Sequence, residues 1–426
     1  MGPKSVSPAA PATAADRPFY WLGVPRPKWS LSMIGLCFFA FTVIGYYWPL
    51  GTLGIGVAAV GLVTQRSRLR IPAFIWLYAL LVLWAAIGLL TSIDFAVSYD
   101  LITERLKLLA IMLIIVNTVD TERRFSFFVY FFLGCYMLFP ARGAFVNFLV
   151  GQNVMGRLVW NNVYGNPNDL AALSLLALGT ALAVLTAKSS LGIARFGAAV
   201  AAALLLVVIV MTKSRGVLIG LVVSMGPSVL RLLFTKASRT IYAVVALIVV
   251  LLFVPDATWD RYVGMGKLTS TDTLVEADPE GSAAERWEIQ KSAWQIFLSN
   301  PITGVGLGNF ATANLKNLPQ LGLKDTHNTY LNLACELGLP GLVLWFTMAF
   351  SVLKRTRATR VNVGTSFIGV DYIWLERATL GFLVAGLFGT YWALTFPYLV
   401  IALLWCSTNP TMRSTQASEP VLKRRN

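Results

Sequence analysis

Long apolar runs separated by short polar segments make up most of this chain. The runs cover residues 31–48, 50–64, 71–90, 104–119, 125–148, 169–187, 193–212, 216–234, 241–255, 338–353 and 373–406. Most approach the roughly 20 residues that a helix needs to cross a bilayer, and the last run can form two short spans because Pro397 lies inside it. The pattern therefore predicts an all-α polytopic integral membrane protein with about twelve transmembrane helices.

One long water-compatible segment interrupts this pattern. Residues 255–340 hold 10 acidic and 6 basic residues, although the whole chain has 35 Lys and Arg against 20 Asp and Glu. The sequence thus predicts a disordered Pro- and Ala-rich tail at 1–30, nine spans at 31–255, a loop with short helices at 256–337, three spans at 338–408 and a basic tail at 409–426. The N-terminal tail lacks the pattern of a signal peptide.

Composition and charge place the loop on one side of the membrane. A chain with 56% hydrophobic and 13% charged residues is too apolar for a soluble domain. The net charge of +15 does not indicate nucleic-acid binding, because the basic residues are scattered among short loops between the spans. With both termini in the cytoplasm, 23 of the 35 basic residues lie inside, as membrane orientation favours. The loop at 256–337 is then periplasmic.

A first loop helix is predicted from a capping box. Ser282 and Glu285 have the spacing at which hydroxyl and carboxylate satisfy each other's backbone donors at a helix start, and Asn300-Pro301 ends the helix. Its apolar face carries Ile289, Ala293, Ile296 and Phe297. Arg286 lies at the top of that face, where an arginine either extends its head group to water or binds an anion.

The only histidine, His327, belongs to a second short helix in the same loop. Asp325 or Thr326 is the predicted cap, and Gly338 and Pro340 are the predicted end. In the first turn, the helix dipole disfavours an imidazolium and keeps the ring neutral near pH 7. A neutral imidazole can accept a proton from a hydroxyl, so His327 is a candidate general base, and the alternative is a structural hydrogen-bonded histidine.

Further polar residues are predicted on the same external side. Arg215 begins a span after a short hairpin, and Arg142 lies inside a span, where a charge is costly unless it faces a cavity or an anion. An interfacial arginine bound to lipid phosphates is the alternative for Arg215. Asn166 and Asn168 flank Pro167 at a helix start, where plain capping explains them and substrate binding is the other interpretation.

These residues together favour recognition of a diphosphate. Two or three guanidinium groups suit a diphosphate through bidentate bonds, and they can replace a metal in stabilising the leaving charge. No metal site is predicted, because Asp278 and Glu280 lack further convergent ligands and the four cysteines have no paired spacing. No cofactor is expected.

Several motifs resemble the O-antigen ligase family, which shares its domain with O-antigen polymerases and bacterial protein O-oligosaccharyltransferases. The motifs are Thr212-Lys-Ser-Arg215-Gly216, Glu285-Arg286, Asn300-Pro301, Gly304-Val-Gly306-Leu-Gly308-Asn-Phe310, His327-Asn328-Thr-Tyr-Leu331 and Glu336-Leu-Gly338-Leu-Pro340-Gly341. The resemblance implies a metal-independent glycosyltransferase of the Gram-negative inner membrane. It also implies that Arg215 and Arg286 hold the donor diphosphate and that His327 is the general base. Asn328, Asn166, Asn168 and Arg142 are further candidates for substrate binding.

The resemblance favours a ligase among these activities. The expected reaction transfers O-antigen polysaccharide from undecaprenyl diphosphate to lipid A-core oligosaccharide, with inversion at the anomeric carbon. An O-antigen polymerase or a protein O-oligosaccharyltransferase with the same donor is the alternative within the class. The resemblance implies additional C-terminal residues for a protein-glycosylating member, whereas only a short basic tail follows Cys406, which favours the ligase. A lipid-linked glycan transporter or flippase is the alternative from another class, but no internal repeat is found. We expect a monomer that contacts membrane lipids.

Overall fold

A computed structural model of the protein describes residues 20–21, 24–25, 29–45, 50–65, 69–187, 189–235, 282–367 and 369–409. Its helices are α1 (Leu31–Gly45), α2 (Gly51–Thr64), α3 (Ala73–Ile87), α4 (Phe95–Thr118), α5 (Glu122–Tyr136), α6 (Arg142–Leu149), α7 (Pro167–Thr186), α8 (Gly192–Met211), α9 (Arg215–Thr235), α10 (Ser282–Ser299), α11 (Phe310–Asn317), α12 (Thr329–Val363), α13 (Ile373–Ala385) and α14 (Phe396–Ser407). Two antiparallel hairpins pair β1 (Tyr20–Trp21) with β2 (Val24–Pro25) and β3 (Ser366–Phe367) with β4 (Val370–Asp371).

The apolar runs predict where the helices lie. Each predicted run within the described residues forms a helix, and the last run divides into α13 and α14 with Pro397 in the first turn of α14. The predicted run at 241–255, the loop at 256–281 and the tail at 410–426 lie outside the described residues. The hairpin of β1 and β2 lies within the tail for which the sequence predicts disorder.

Five helical stretches of the described chain are long and apolar enough to cross a membrane. They are Ala73–Thr91, Glu122–Leu149, Pro167–Thr186, Gly192–Met211 and Thr329–Asn362. Shorter apolar helices cover Leu31–Gly45, Gly51–Thr64, Arg215–Ser228 and Phe396–Ser407. The molecule is therefore a mostly helical membrane protein, whereas the count of about twelve spans and the side on which the loop lies stay predictions.

Close helix contacts form the centre of the molecule. Helix α13 packs between α7 and α9, and α12 packs along α3. A Cβ atom at Gly220 of α9 would overlap the backbone carbonyl of Gly381 in α13, so these two helices approach more closely than larger residues permit. Small residues at such contacts are typical of helices packed within a membrane, where dispersion rather than the hydrophobic effect drives association.

A sharp kink at Gly338 divides α12 into two helical segments. Gly338 has φ 64° and ψ −173°, which is accessible essentially to glycine alone, and Pro340 lacks the N–H that would bond to the Glu336 carbonyl. The sequence predicts a helix end and a new span at this point. This prediction is confirmed, because two helical segments meet at the non-helical backbone of Gly338. Other groups satisfy the backbone carbonyls that the kink releases.

Those groups come largely from residues 300–309, which we call the glycine loop. Val305 N–H donates to the Cys335 carbonyl at 2.9 Å, and Gly306 N–H donates to the Glu336 carbonyl at 3.1 Å. The indole N–H of Trp84 in α3 donates to the Leu337 carbonyl at 2.8 Å. All three released carbonyls therefore have donors from outside α12, which accounts for the kink as a stable feature.

A second irregular segment, residues 386–395, joins α13 to α14, and we call it the tyrosine segment. The hydroxyl of Thr329, at the start of α12, donates to the Gly389 carbonyl at 2.8 Å and accepts from Tyr391 N–H at 2.8 Å. Arg105 of α4 donates to the Ala393 carbonyl at 3.0 Å and lies 5.0 Å from the Trp392 ring centroid. This segment is thus fixed against the start of α12.

Candidate functional site

His327 lies immediately before α12 rather than within it. Asn328 is the N-cap, and its side-chain oxygen accepts from the N–H groups of Tyr330 and Leu331 at 3.0 and 3.1 Å. The predicted cap at Asp325 or Thr326, with His327 in the first helical turn, is therefore wrong by two or three residues. His327 has φ 51°, a left-handed conformation that is uncommon outside glycine and turns its side chain out of the helical path.

The electrostatic surroundings keep His327 neutral. Burial lowers the pKa of its imidazole below the usual 6.5, and the positive charge of Arg286 lowers it further, whereas Asp325 and Glu285 oppose this shift. The sequence predicts the direction correctly from the helix dipole, but the structure gives burial and Arg286 as the principal causes.

Helix α10 brings Arg286 to this histidine. Its bounds, Ser282–Ser299, confirm the helix predicted between the capping box and Asn300-Pro301, and Ile289, Ala293 and Ile296 are buried as predicted. Glu285 forms an ion pair with Lys324 at 2.8 Å, which connects the start of α10 to the segment that precedes His327. Arg286 is half-buried on the same helical turn, and its charge acts on the imidazole.

Arg215 is the first residue of α9 and lies between two contacts with the tyrosine segment. A Cβ atom at Gly216 would overlap the Cβ of Phe388, so this glycine permits the close approach of that segment. On the other side, the buried Ser214 hydroxyl lies near Tyr391 and lowers its pKa. These neighbours place the start of α9 beside the start of α12, and His327 immediately precedes α12.

Tyr391 marks the point at which the separate elements meet. Burial raises the pKa of its hydroxyl and the negative charge of Asp169 raises it further, whereas Arg286 and Arg157 lower it. The side chain is almost fully buried. The charges that act on this hydroxyl come from α7, α10 and the loop before α7, so these elements converge near Tyr391. Sequence reasoning missed it, because the aromatic pair Tyr391-Trp392 lies within a run interpreted as two spans.

A third guanidinium, that of Arg157, also belongs to this cluster and was missed. Its Nε donates to the Thr212 carbonyl at 2.7 Å, and a terminal nitrogen donates to the Asn168 side-chain oxygen at 2.7 Å. The available signal was its position in the external loop that ends at the Asn166 motif. Because these bonds join it to the end of α8 and the start of α7, Arg157 has a defined position beside the arginine at the start of α9.

The asparagine motif acts in capping, as its pattern indicates. Asn166 is the N-cap of α7 and accepts from Asn168 N–H at 2.9 Å, while Pro167 occupies the first turn. The side chain of Asn168 is used to hold Arg157. A direct role of either asparagine in substrate binding stays a prediction, as does that of Asn328, whose oxygen caps α12.

Arg142 is the candidate that the structure does not join to the cluster. It follows a π-helical turn at Met137–Ala141 that Pro140 causes, and its side chain is exposed at the start of α6. No hydrogen bond or ion pair of the described residues connects it to Arg286 or His327. The part of the chain that the structure describes also contains no group of three His, Cys, Asp or Glu residues that could hold a metal ion.

The candidate cluster combines a histidine of lowered pKa with Arg286 and Arg157, and Arg215 follows three residues after the carbonyl that accepts from Arg157. Its chemistry suits a polyanion beside a hydroxyl that must lose a proton. Residues 200–346 match the family described as O-antigen ligase. This segment is therefore similar to the O-antigen ligase family. The matched segment of the O-antigen ligase domain includes Arg215, Arg286 and His327, whereas Arg157, Asn168 and Tyr391 lie outside it. No curated protein matches the chain.

Proposed function

We propose that the protein is an O-antigen ligase. It transfers O-antigen polysaccharide from undecaprenyl diphosphate to lipid A-core oligosaccharide at the periplasmic face of the inner membrane of a Gram-negative bacterium. The observation that carries this proposal is the meeting of Arg286 and a neutral His327 within the matched family domain. An arginine and a proton acceptor at one site are what a diphosphate leaving group and a hydroxyl nucleophile require together.

The transfer is a single displacement. The acceptor hydroxyl gives its proton to a ring nitrogen of His327, and the acceptor oxygen forms a bond to the anomeric carbon of the donor. The bond between that carbon and the diphosphate oxygen breaks at the same time, and its electron pair leaves with the diphosphate. One displacement inverts the configuration at the anomeric carbon.

The arginines have distinct tasks in this proposal. Arg215 and Arg286 bind the diphosphate and stabilise the negative charge that develops on it, because a planar guanidinium can donate two parallel bonds to phosphate oxygens. Arg157 faces the same region from the loop before α7 and adds positive charge there. The protonated imidazole that forms during transfer is stabilised by Asp325 and Glu285, which raise the pKa of His327.

The deciding experiment measures glycan transfer by purified protein with a lipid-linked donor and either of two acceptors. We expect transfer to lipid A-core, and elongation of a lipid-linked acceptor instead would indicate a polymerase. His327→Ala should lower transfer about 10²- to 10⁴-fold at unchanged abundance, the usual range for loss of a general base. Arg286→Lys should also be strongly impaired, and EDTA should have no effect. Lys316→Gln, which removes an exposed charge from α11, is the matched control.

The pH profile tests the role of His327 separately. Because burial and Arg286 lower its pKa below 6.5, the neutral base predominates at pH 7 and is lost only as the pH falls through that lowered value. Transfer should therefore stay constant around neutrality and decline with one proton in the more acidic range. A decline that begins above pH 7 would contradict the assignment of His327 as the base.

A further inference from the structure

Helix α10 has an exposed face that the site does not use. Trp287, Trp294 and Leu298 are each more than half exposed, and their spacing of seven and four residues aligns them along one side of the helix. Ile302, four residues further and beyond the helix end, is also exposed. Two tryptophans and two aliphatic side chains on one exposed stripe are unusual for a surface in contact with water.

The exposed half of α10 is divided lengthwise into an apolar and a polar strip. Glu288, Gln295 and Ser299 are also exposed, but their positions at 100° per residue put them beside the apolar stripe rather than within it. Lys291 lies between the two strips, 5.6 Å from the Trp287 ring centroid and paired with Glu288 at 2.8 Å. This division is typical of a helix at an apolar–water boundary.

The stripe continues into the exposed apolar surface of two candidate membrane spans. Leu339 N–H donates to the Pro301 carbonyl at 2.8 Å, which joins the end of the stripe to α12, where Leu339 and Val343 are exposed. The residue after Ile302 also lies close to the end of α3, since a Cβ atom at Gly88 would be 3.9 Å from the Thr303 carbonyl. Exposed side chains of α3 lie at helical spacing at Leu80, Leu83 and Ile87, and Leu90 continues them in the 3-10 turn that follows.

We propose that the stripe of Trp287, Trp294, Leu298 and Ile302 is embedded in the lipid bilayer surface, so that α10 lies in the plane of the membrane interface. Lipid is the occupant because the stripe is continuous with exposed apolar side chains of the candidate membrane spans that include α3 and α12. Tryptophan is enriched at this depth, where its ring is apolar and its N–H can bond to head groups. From Trp287 to Leu298 the helix is about 16 Å long, so only an orientation along the surface brings the whole stripe to one depth.

This arrangement fixes the height of the site above the membrane. Arg286 is half-buried and lies about 100° around α10 from the stripe. The ion pair of Glu285 with Lys324 connects the same turn to the segment that precedes His327. A helix embedded on one side therefore presents its arginine at a constant distance from the lipid surface.

Spin labels at neighbouring positions test the proposal in the full chain. The four native cysteines are buried, so a cysteine introduced at an exposed position can be labelled selectively. The pairs Trp294→Cys with Gln295→Cys, and Leu298→Cys with Ser299→Cys, place one label on each strip at nearly the same height along the helix. The protein is reconstituted in vesicles of phosphatidylethanolamine and phosphatidylglycerol, and collisions with oxygen and with a water-soluble nickel chelate are measured.

The expected result is a difference within each pair. Labels at 294 and 298 should collide with oxygen several-fold more and with the nickel chelate several-fold less than those at 295 and 299. Equal access of the nickel chelate to all four labels would overturn the proposal. Protection from both reagents together with dipolar broadening between labels would also overturn it, because a second copy of the chain would then cover the stripe. Trp287→Cys supplies the same measurement if Trp294→Cys does not fold.

Discussion

The glycine loop and the tyrosine segment are both irregular segments that fix α12, but they are attached to it in different ways. The glycine loop pairs with α12 through backbone groups: Val305 and Gly306 donate to carbonyls beside the kink, and Leu339 N–H donates to the Pro301 carbonyl. The tyrosine segment is attached mainly through side chains, that of Thr329 in α12 and that of Arg105 in the neighbouring α4.

The difference indicates what each segment can tolerate. A backbone ladder depends on φ and ψ and on close approach, so it should accept most side-chain changes outside its glycines. An attachment through side chains depends on a few polar groups, so single polar substitutions should displace it. Because Tyr391 lies within the second segment, such displacement should reach the candidate site, whereas damage to the first should appear as loss of the fold.

The largest effect is expected from Gly338→Ala. The φ of 64° with ψ −173° costs a residue with a Cβ atom about 1–3 kcal/mol, and that Cβ would also overlap the Ile302 carbonyl. The variant should yield little folded protein by size-exclusion chromatography. Gly134→Ala, at a helical glycine with open space around it, should be neutral or slightly stabilising. A normal melting temperature for Gly338→Ala would contradict the role assigned to the kink.

Arg105→Met should have the next largest effect, and mainly on transfer. It removes the donor to the Ala393 carbonyl and the cation over Trp392, at a cost of about 1–3 kcal/mol in stability. Displacement of Tyr391 by about 1 Å should lower kcat/KM by about 10- to 100-fold. Lys107→Met, two residues along the same helix, removes an exposed charge that pairs with Glu104 and serves as the control. Equal transfer activity of the two variants would show that Arg105 does not influence the candidate site.

A smaller effect is expected from Thr329→Val, which keeps the shape of the side chain. It removes two hydrogen bonds to the tyrosine segment, and the expected loss is about 1–3 kcal/mol in stability with roughly tenfold lower transfer. Thr347→Val in the same helix removes an exposed hydroxyl that donates to the Val343 carbonyl of its own helix. Thermal unfolding and transfer measured for both variants compare them directly, and indistinguishable results would show that the hydroxyl of Thr329 is dispensable.

The smallest effect should come from Trp84→Phe. This change removes one donor to the Leu337 carbonyl but keeps the ring, so we expect a loss of about 0.5–1.5 kcal/mol. Transfer should stay within about threefold of wild type, since the backbone bonds of the glycine loop remain. Trp76→Phe changes an exposed indole on the same helix and is the control. A loss of activity as large as that of Arg105→Met would mean that both segments act on the site.

The sequence predicted the helices more completely than their ends. Apolar runs locate spans because burial in lipid requires them, but the start of α12 depends on a competition among Asp325, Thr326 and Asn328 for the same cap. Asn328 prevails because His327 adopts a left-handed conformation that ends the preceding turn. Such a competition depends on tertiary contacts, which a local pattern does not contain.

The candidate site was predicted where its residues stand out from their surroundings. An arginine on an apolar helical face and a lone histidine are conspicuous, so Arg286 and His327 could be found. Arg157 and Tyr391 were missed because their neighbours in sequence are typical of a loop and of a span, and only the packing of α7, α9 and α13 brings them to the site. The pKa of His327 shows the same limit, since its direction was predicted and its principal cause was not.

The hydrogen bonds between Asn309 and residues at the start of α4 have a consequence for recombination between related genes. Asn309 accepts from Asp94 N–H at 2.9 Å and donates to the Ser98 hydroxyl at 2.7 Å, more than 200 positions away in the chain. A crossover that exchanged residues 200–346 alone would transfer Arg286 and His327 into a new protein. The start of α4 and the tyrosine segment, which hold the loop and the start of α12 in place, would not be transferred. Functional chimaeras should therefore inherit the N-terminal helices and the tyrosine segment from the same parent as the histidine.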